Sequence, residues 1–266
     1  MRRVLVTGGS SGIGRAVVQR FAREGDVVWL TYRHGRERAE ALLAELPGEG
    51  HQAFELAQGE WDSHQRLLQS LPGPVDILIN NAAVGSKTVE NYAPAEPHLQ
   101  DEAFLRINSV GPLWLIQQIV PGMRERGYGK VVNIASVGGG IGQFPGFRLA
   151  DGMSKAALVY LTRQLAAELT HDPVEVFAVC PGAVHTPMFQ ASTLNAIPTE
   201  QRAAFEARLP KGRLIQPEEI ADVVWWLCTE QARVLHGAVL DASMGLGVHP
   251  GLLTGVSIDR GAAGPH

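Results

Sequence analysis

Short runs of β-branched and other apolar residues alternate with longer amphipathic segments from the start of the chain. The short runs predict seven strands, at about 2–6, 26–31, 51–56, 75–79, 130–134, 174–179 and 237–241. Apolar residues at helical spacing between them predict helices at about 13–23, 36–46, 62–71, 101–125, 152–169 and 217–228. Repeated strand–helix–strand units of this kind predict an α/β fold: a doubly wound sheet of about seven parallel strands with helices on both faces.

The alternation continues to residue 245, and we predict a single domain at 1–245. Residues 188–212 interrupt the pattern between a strand end and the next helix, and they form either a substrate lid or a plain surface excursion. The Gly-rich tail at 246–266 is either a subunit-contact arm or a frayed end.

Composition narrows the environment and the partners. A hydrophobic share of 45% with 19% charged residues is typical of a globular chain with a substantial core. The net charge of -4 gives no overall basic field, so nucleic acid is not an expected partner. Two cysteines far apart, Cys180 and Cys228, fit a reducing compartment, and we expect a cytoplasmic protein. Neither a signal peptide nor a stretch long enough to span a membrane is predicted.

A glycine-rich turn follows the first predicted strand and opens the first predicted helix. It reads Thr7-Gly8-Gly9-Ser10-Ser11-Gly12-Ile13-Gly14. Glycines at this place let backbone N–H groups approach a pyrophosphate at the helix N-terminus, where the helix dipole favours an anion. Such runs also serve as plain tight turns, but the flanking strand and helix supply the context of a dinucleotide site.

Further motifs along the chain resemble the short-chain dehydrogenase/reductase family. The spacing Gly8-x-x-x-Gly12-x-Gly14 is similar to the glycine motif of that family, and four later segments match in order. These are Asn80-Asn81-Ala82-Ala83, with alanine for the family's final glycine, then Asn108, then Ser136, and Pro181-Gly182-Ala183-Val184-His185-Thr186. The resemblance runs from Val4 to about Gly245 and implies a Rossmann-like fold and an oxidoreductase acting on a carbonyl or hydroxyl substrate.

The resemblance also implies which residues hold the nicotinamide dinucleotide. The expected cofactor-binding residues are Gly8, Ser10, Ser11, Gly12, Ile13, Gly14, Arg33, Asn81, Ala82, Ala83, Lys155, Pro181, Gly182, Val184 and Thr186. No metal site is expected. The family's Asp near the adenine falls on Ala57.

The end of the second strand favours NADP(H) over NAD(H). An acid there would bind the adenosine ribose hydroxyls, whereas a basic residue pairs with a 2′-phosphate. The chain has Arg33, with Arg15 or Arg36 as further candidates, and no acid. The alternative interpretation is that Arg33 is an exposed residue at the start of a solvated helix and contacts no phosphate.

The implied catalytic residues are Asn108, Ser136, Asp151 and Lys155. In the family a tyrosine four residues before the lysine exchanges a proton with the substrate, and that position is Asp151 here. No tyrosine or histidine occurs between Gly129 and Val159. An aspartate reaches less far than a phenol, and we expect an ammonium at Lys155 to hold its pKa low.

Three functions are compatible with this substitution. The protein is a slow reductase whose proton arrives through water ordered by Asn108 and Lys155, or Asp151 acts as a base in dehydration or isomerisation or holds a cationic group. The third possibility is a non-catalytic dinucleotide-binding subunit or sensor.

The remaining expectations concern partners. Apolar residues on several faces of two long helices predict a homodimer or homotetramer; these residues are Leu113, Trp114, Ile116, Val159, Tyr160 and Leu161. The substrate is a small molecule that we expect to meet Phe144, Phe147, Met188 and Phe189, with Arg148 or His185 available for an acidic group.

Overall fold

A computed structural model describes residues 1–93, 96–145 and 147–249 of the chain. Its strands pair side by side in parallel as one seven-stranded sheet in the order β3-β2-β1-β4-β5-β6-β7. The strands are β1 (Arg3–Val6), β2 (Val27–Tyr32), β3 (Gln52–Glu55), β4 (Ile77–Asn80), β5 (Gly129–Ile134), β6 (Val174–Pro181) and β7 (Val239–Ala242). The predicted α/β fold is confirmed, and each predicted strand lies within two residues of an observed one.

All six predicted helices are found, along with three further helices that were not predicted. The helices are α1 (Gly12–Arg23), α2 (Arg36–Glu45), α3 (Trp61–Ser70), α4 (Pro97–Leu105), α5 (Gly111–Arg126), the single irregular turn α6 (Val137–Gly140), α7 (Leu149–Glu168), α8 (Pro187–Ser192), α9 (Thr199–Arg208) and α10 (Pro217–Leu227). Those not predicted are α6, α8 and α9. The helix predicted at 101–125 is found: helical backbone runs from Pro97 to Arg126 through α4, a π-helical turn and α5. The π-helical turn, Arg106–Val110, separates α4 from α5 and contains Asn108.

Two apolar layers cover the faces of the sheet. Successive side chains of a strand point to opposite faces, so in β1 Val4 and Val6 join one layer and Leu5 joins the other. The first layer contains Phe21 of α1, and the second contains Leu115 of α5. Strands buried on both faces explain why the sequence shows continuous apolar runs where an exposed sheet would alternate.

The segment 188–212 lies over the carboxyl end of the sheet. It contains most of α8, all of α9 and two short 3-10 turns, and it is anchored through Leu194 and Leu209, which pack against Ala183 and Leu214. No residue of α9 is buried. Whether this segment moves as a lid stays a prediction. Of the predicted tail, residues 246–249 belong to the described part of the chain, and 250–266 lie outside it. No described helix has the length and apolarity needed to cross a membrane.

A buried chain of side-chain hydrogen bonds joins the centre of the sheet to α7. Asn80 Nδ2 donates to Asn133 Oδ1 across β4 and β5 at 2.8 Å, and Asn133 Nδ2 donates to Thr162 Oγ1 at 2.9 Å. All three residues are buried. The amide of Asn133 therefore connects the helix that carries Lys155 to the strands beneath it.

Replacing Asn133 with alanine should lower the free energy of unfolding by about 1–3 kcal/mol, because the buried Asn80 amide loses its acceptor and the Thr162 hydroxyl keeps only its bond to the Leu158 carbonyl. Chemical denaturation measures this loss. Asn195→Ala, which removes an amide at an exposed position, is the control and should change stability by about 0.5 kcal/mol or less. Equal losses in the two variants would contradict the role given to the network.

Candidate active site

A cavity of about 700 Å³ lies at the carboxyl ends of the strands. Its walls come from the segments that follow β1, β2, β4, β5 and β6, together with the start of α7 and α8. The strand order reverses direction between β1 and β4, which is where open α/β sheets hold ligands. The volume is in the range typical of sites for small molecules and cofactors.

The glycine-rich turn forms one wall of this cavity. Gly8 and Gly12 have φ values of +64° and +53°, which side chains rarely adopt. Gly14 does not line the cavity. A Cβ on Gly14 would lie 2.3 Å from the Gly8 carbonyl oxygen and 2.5 Å from Asn81 Nδ2, so its absence lets α1 close against the turn.

Hydrogen bonds from two residues lock this turn to the segment after β4. Thr7 Oγ1 accepts from the backbone N–H groups of Asn81 and Ala82, both at 2.9 Å. The Asn81 side chain donates in return to the backbone oxygens of Thr7 at 2.9 Å and Gly8 at 3.2 Å. The two loops therefore present a fixed surface at the reversal point of the sheet.

The cavity brings together most of the residues singled out in the sequence. Those that line it are Gly8, Ser10, Ser11, Gly12, Ile13, Arg33, Asn81, Ala82, Ala83, Ser136, Asp151, Lys155, Pro181, Gly182, Val184 and Thr186. Their roles toward a cofactor or substrate stay predictions, but their convergence from segments up to 178 positions apart is a property of the fold.

Asn108 lies behind the cavity wall. Its Nδ2 donates to the Val84 carbonyl and to Ser154 Oγ, both at 3.0 Å, and its Oδ1 accepts from the Val84 N–H at 2.8 Å. The Ser154 hydroxyl donates in turn to the Asp151 carbonyl at 2.7 Å. The side chain of Asn108 is thus occupied in holding the first turns of α7, and a direct part in ordering water stays a prediction.

Asp151 and Lys155 lie one helical turn apart on the buried face of α7. Burial raises the pKa of Asp151, and the positive charges of Lys155 and Arg148 oppose that rise without cancelling it. Burial likewise lowers the pKa of Lys155, against the negative charge of Asp151. The expectation that Lys155 would hold the pKa of Asp151 low is therefore wrong, because desolvation outweighs the ammonium.

Ser136 stands at the end of β5, opposite the first turn of α7. Its Oγ accepts a hydrogen bond from the Gly138 N–H at 3.2 Å, which leaves the hydroxyl hydrogen free to point into the cavity. The exposed Tyr160 lies outside the residues that line the cavity. The polar groups that α7 contributes to the cavity are Asp151 and Lys155.

At the other end of the cavity lies Arg33, directly after β2. Arg15 is paired with Glu45 at 2.9 Å outside the cavity, and Arg36 is not part of its wall. Both were candidates for the same role as Arg33, and the structure does not bring them to the site. Sequence reasoning missed several lining residues at this end: His34, Arg38, Gln58 and Tyr92. The one signal in the sequence for any of these four residues was the cluster of basic residues around Arg33.

The proposed substrate side is apolar. Phe144, Phe147, Met188 and Phe189 line the cavity as predicted. The prediction that Arg148 or His185 would face an acidic substrate group is wrong. Arg148 donates to Asp101 and Gln100 at 2.8 Å each, which draws its guanidinium toward α4, and His185 is exposed and outside the cavity wall. In the described part of the chain, no group of three His, Cys, Asp or Glu side chains is arranged to hold a metal ion.

Comparison with known proteins places this site in a family. A sequence model described as enoyl-(acyl carrier protein) reductase matches residues 8–247. Acetoacetyl-CoA reductase of Cupriavidus necator is 33% identical over 255 residues, covering 94% of this chain and 99% of that protein.

Two solved structures are similar over most of the chain. Actinorhodin polyketide ketoreductase with NADPH has a TM-score of 0.82 at 32% identity, covering 92% of this chain and 97% of that one. A short-chain dehydrogenase/reductase family protein has a TM-score of 0.78 at 32% identity, covering 93% and 97%. The site geometry and these similarities agree: the chain belongs to the short-chain dehydrogenase/reductase family and is an oxidoreductase of that type.

Proposed function

We propose that the protein is an NADP(H)-dependent reductase that adds hydride to the ketone of a 3-oxoacyl thioester or a related polyketide chain. The observation that carries this proposal is the convergence of the glycine-rich turn, Arg33, Ser136 and Lys155 on one cavity with an apolar far end. The names of two similar proteins, an acetoacetyl-CoA reductase and a polyketide ketoreductase, support this type of substrate.

The residues present fit a dinucleotide. The left-handed backbone at Gly8 and Gly12 and the close approach at Gly14 form a surface that a pyrophosphate can reach and a side chain would fill. The bound cofactor supplies the hydride. In this proposal the turn holds the pyrophosphate, Asn81–Ala83 border the adenosine, and the segment 181–186 borders the nicotinamide.

Ser136 and Asp151 have different roles at the substrate oxygen. The free hydroxyl hydrogen of Ser136 polarises the carbonyl, and the oxygen that gains charge then needs a proton. We assign that proton to Asp151, whose pKa burial raises above the ordinary value of an aspartate. Its side chain is shorter than the family's tyrosine, so we assign the transfer to one intervening water molecule.

Lys155 has a separate task in this scheme. Its ammonium lies in the cavity next to Asp151 and binds the ribose hydroxyls of the cofactor, as the family resemblance implies. The bonds from Asn108 through Ser154 to the Asp151 carbonyl fix the turn of α7 that carries the proton donor.

A change at Asp151 tests the proton donor. Asp151→Asn should lower the rate of ketone reduction by about 10²-fold or more, because the amide has no proton to give. In the parent protein the rate should fall as pH rises through the raised pKa of Asp151, since the protonated acid is the active form. Asp151→Tyr should shift this fall to higher pH and raise the rate. Steady-state kinetics with acetoacetyl-CoA and NADPH across pH 4–10 measure all three.

Three results would contradict this assignment. A parent rate that does not change with pH, together with an undiminished Asn variant, would exclude Asp151 as the acid. If both variants instead abolish a dehydration or isomerisation while neither reduces ketones, Asp151 is the base of a non-redox reaction. If neither the parent protein nor a variant turns over any substrate while NADPH still binds, the chain binds dinucleotide without catalysis.

Cofactor choice is tested by binding alone. NADPH should bind more tightly than NADH in calorimetric titrations, because Arg33 pairs with the 2′-phosphate. Arg33→Asp should reverse that order. Arg36→Asp, which makes the same change of charge at an exposed position outside the cavity, should leave it intact. Equal affinities of the parent protein for both cofactors would remove the NADP(H) assignment.

We also propose that the chain forms a homodimer or homotetramer through α4 and α7. Of the apolar residues named from the sequence, Ile116 and Val159 are buried within the chain itself and do not contribute. Tyr160, also named from the sequence, is exposed, and three further exposed residues join it: Leu99 on α4, and Leu149 and Met153 at helical spacing on α7.

Sedimentation velocity at micromolar concentration should show this oligomer, and Tyr160→Glu should weaken it, because a carboxylate would be buried at the interface. Ala41→Glu, at an exposed position on α2, is the matched control and should leave assembly unchanged. A monomeric parent protein would refute this proposal.

A further inference from the structure

Arg33 is stacked on an aromatic ring inside the cavity. Its guanidinium carbon lies 3.8 Å from the centroid of the Tyr92 ring, and both residues line the cavity wall. Arg33 follows β2, whereas Tyr92 belongs to the connection between β4 and α4, directly after the 3-10 turn Thr88–Asn91. The contact therefore joins the cofactor side of the site to a segment that the sequence motifs did not mark.

The tyrosine ring is held by its own surroundings. It packs against a buried cluster that includes Val84, Val89, Phe104 and Ile107, and its backbone N–H donates to the Val89 carbonyl at 2.9 Å. Burial raises the pKa of its hydroxyl, while the positive charge of Arg33 opposes that rise. Tyr92 is thus a fixed surface against which Arg33 can rest.

Arg33 keeps its hydrogen-bonding edge free. Over residues 1–93, 96–145 and 147–249, no carboxylate lies within 4.0 Å of its guanidinium nitrogens, in contrast to Arg15 with Glu45 and Arg148 with Asp101. Stacking uses only the face of the guanidinium, so the N–H donors in its plane stay available for a bidentate bond to an anion.

We propose that Tyr92 is a specificity-determining residue, which holds Arg33 flat in the cavity so that its N–H edge meets the 2′-phosphate of the adenosine ribose. This inference rests on the proposed use of NADP(H) and adds the element that prepares the arginine. A free arginine side chain loses rotamer freedom when it binds phosphate, whereas one already stacked loses less. Removing the ring should therefore weaken ligands that carry the 2′-phosphate and spare those that lack it.

The test uses four ligands and three variants. Isothermal titration calorimetry measures NADPH, NADH, adenosine 2′,5′-bisphosphate and adenosine 5′-monophosphate, of which only the first and third carry a 2′-phosphate. Tyr92→Leu should bind those two about 3- to 10-fold more weakly and the other two within about two-fold of the parent protein. Tyr92→Phe, which keeps the ring, should bind all four like the parent.

Val89→Ala controls for damage to the cluster that supports the ring, because it removes buried volume without touching Arg33. It should leave the ratio of NADPH to NADH affinity unchanged. A uniform loss for all four ligands in Tyr92→Leu would overturn the proposal, since it would indicate a general distortion. An unchanged ratio in that variant would overturn it too, and so would a loss in Tyr92→Phe equal to that in Tyr92→Leu.

Different results would contradict the NADP(H) assignment and the role of Tyr92. If the parent protein binds NADPH and NADH equally, the cofactor assignment itself is wrong. If the parent prefers NADPH and Tyr92→Leu keeps the full preference, only the role of Tyr92 is wrong.

Discussion

The hydroxyl of Thr7 and the amide of Asn81 hold together the two loops that part at the centre of the sheet. Because β1 lies between β2 and β4, the chain leaves β1 and β4 in opposite directions. Without the side chains of Thr7 and Asn81, the backbone groups of the two loops would need other hydrogen-bond partners. The reciprocal bonds satisfy these groups and fix the glycine-rich turn. These bonds therefore fix the two cavity walls that meet at the reversal point of the sheet.

The proton chemistry of the site is governed by burial. Asp151 and Lys155 are each shielded from water by the walls of the cavity and the first turns of α7, so each is displaced toward its neutral form. A raised pKa lets a carboxylic acid keep its proton to a higher pH than an exposed aspartate would. If Asp151 donates the proton, as proposed, that shift sets the pH range of the reaction and the short side chain sets the reach of the donor.

The sequence was sufficient for features that depend on local pattern and insufficient for those that depend on distant partners. The seven strands follow from continuous apolar runs, and the turn at Gly8 and Gly12 follows from residues that tolerate positive φ. Asn108 was assigned to catalysis by its motif, but its partners Val84 and Ser154 lie 24 and 46 positions away.

The electrostatic surroundings of Asp151 and Arg148 could not be predicted from the sequence either. The sequence shows that Lys155 follows Asp151 by one helical turn, and the pKa of the acid was judged from that charge alone. Its burial, which decides the sign, requires the folded chain. Arg148 was likewise expected to be available for an acidic group of the substrate, whereas it is held by Asp101, 47 positions earlier.

The central place of β1 also sets the order of events during biosynthesis. Thr7 and Asn81 are separated by 74 positions, and β1 pairs with β4 at Val4 and Ile77. At about 5–20 residues per second, the ribosome needs about 4–15 s between making the glycine-rich turn and making the amide that locks it. During that interval the N-terminal strand can pair only with β2, and its other edge is open to any strand that arrives first. The nascent chain is therefore most exposed to misassembly before residue 81 has left the exit tunnel.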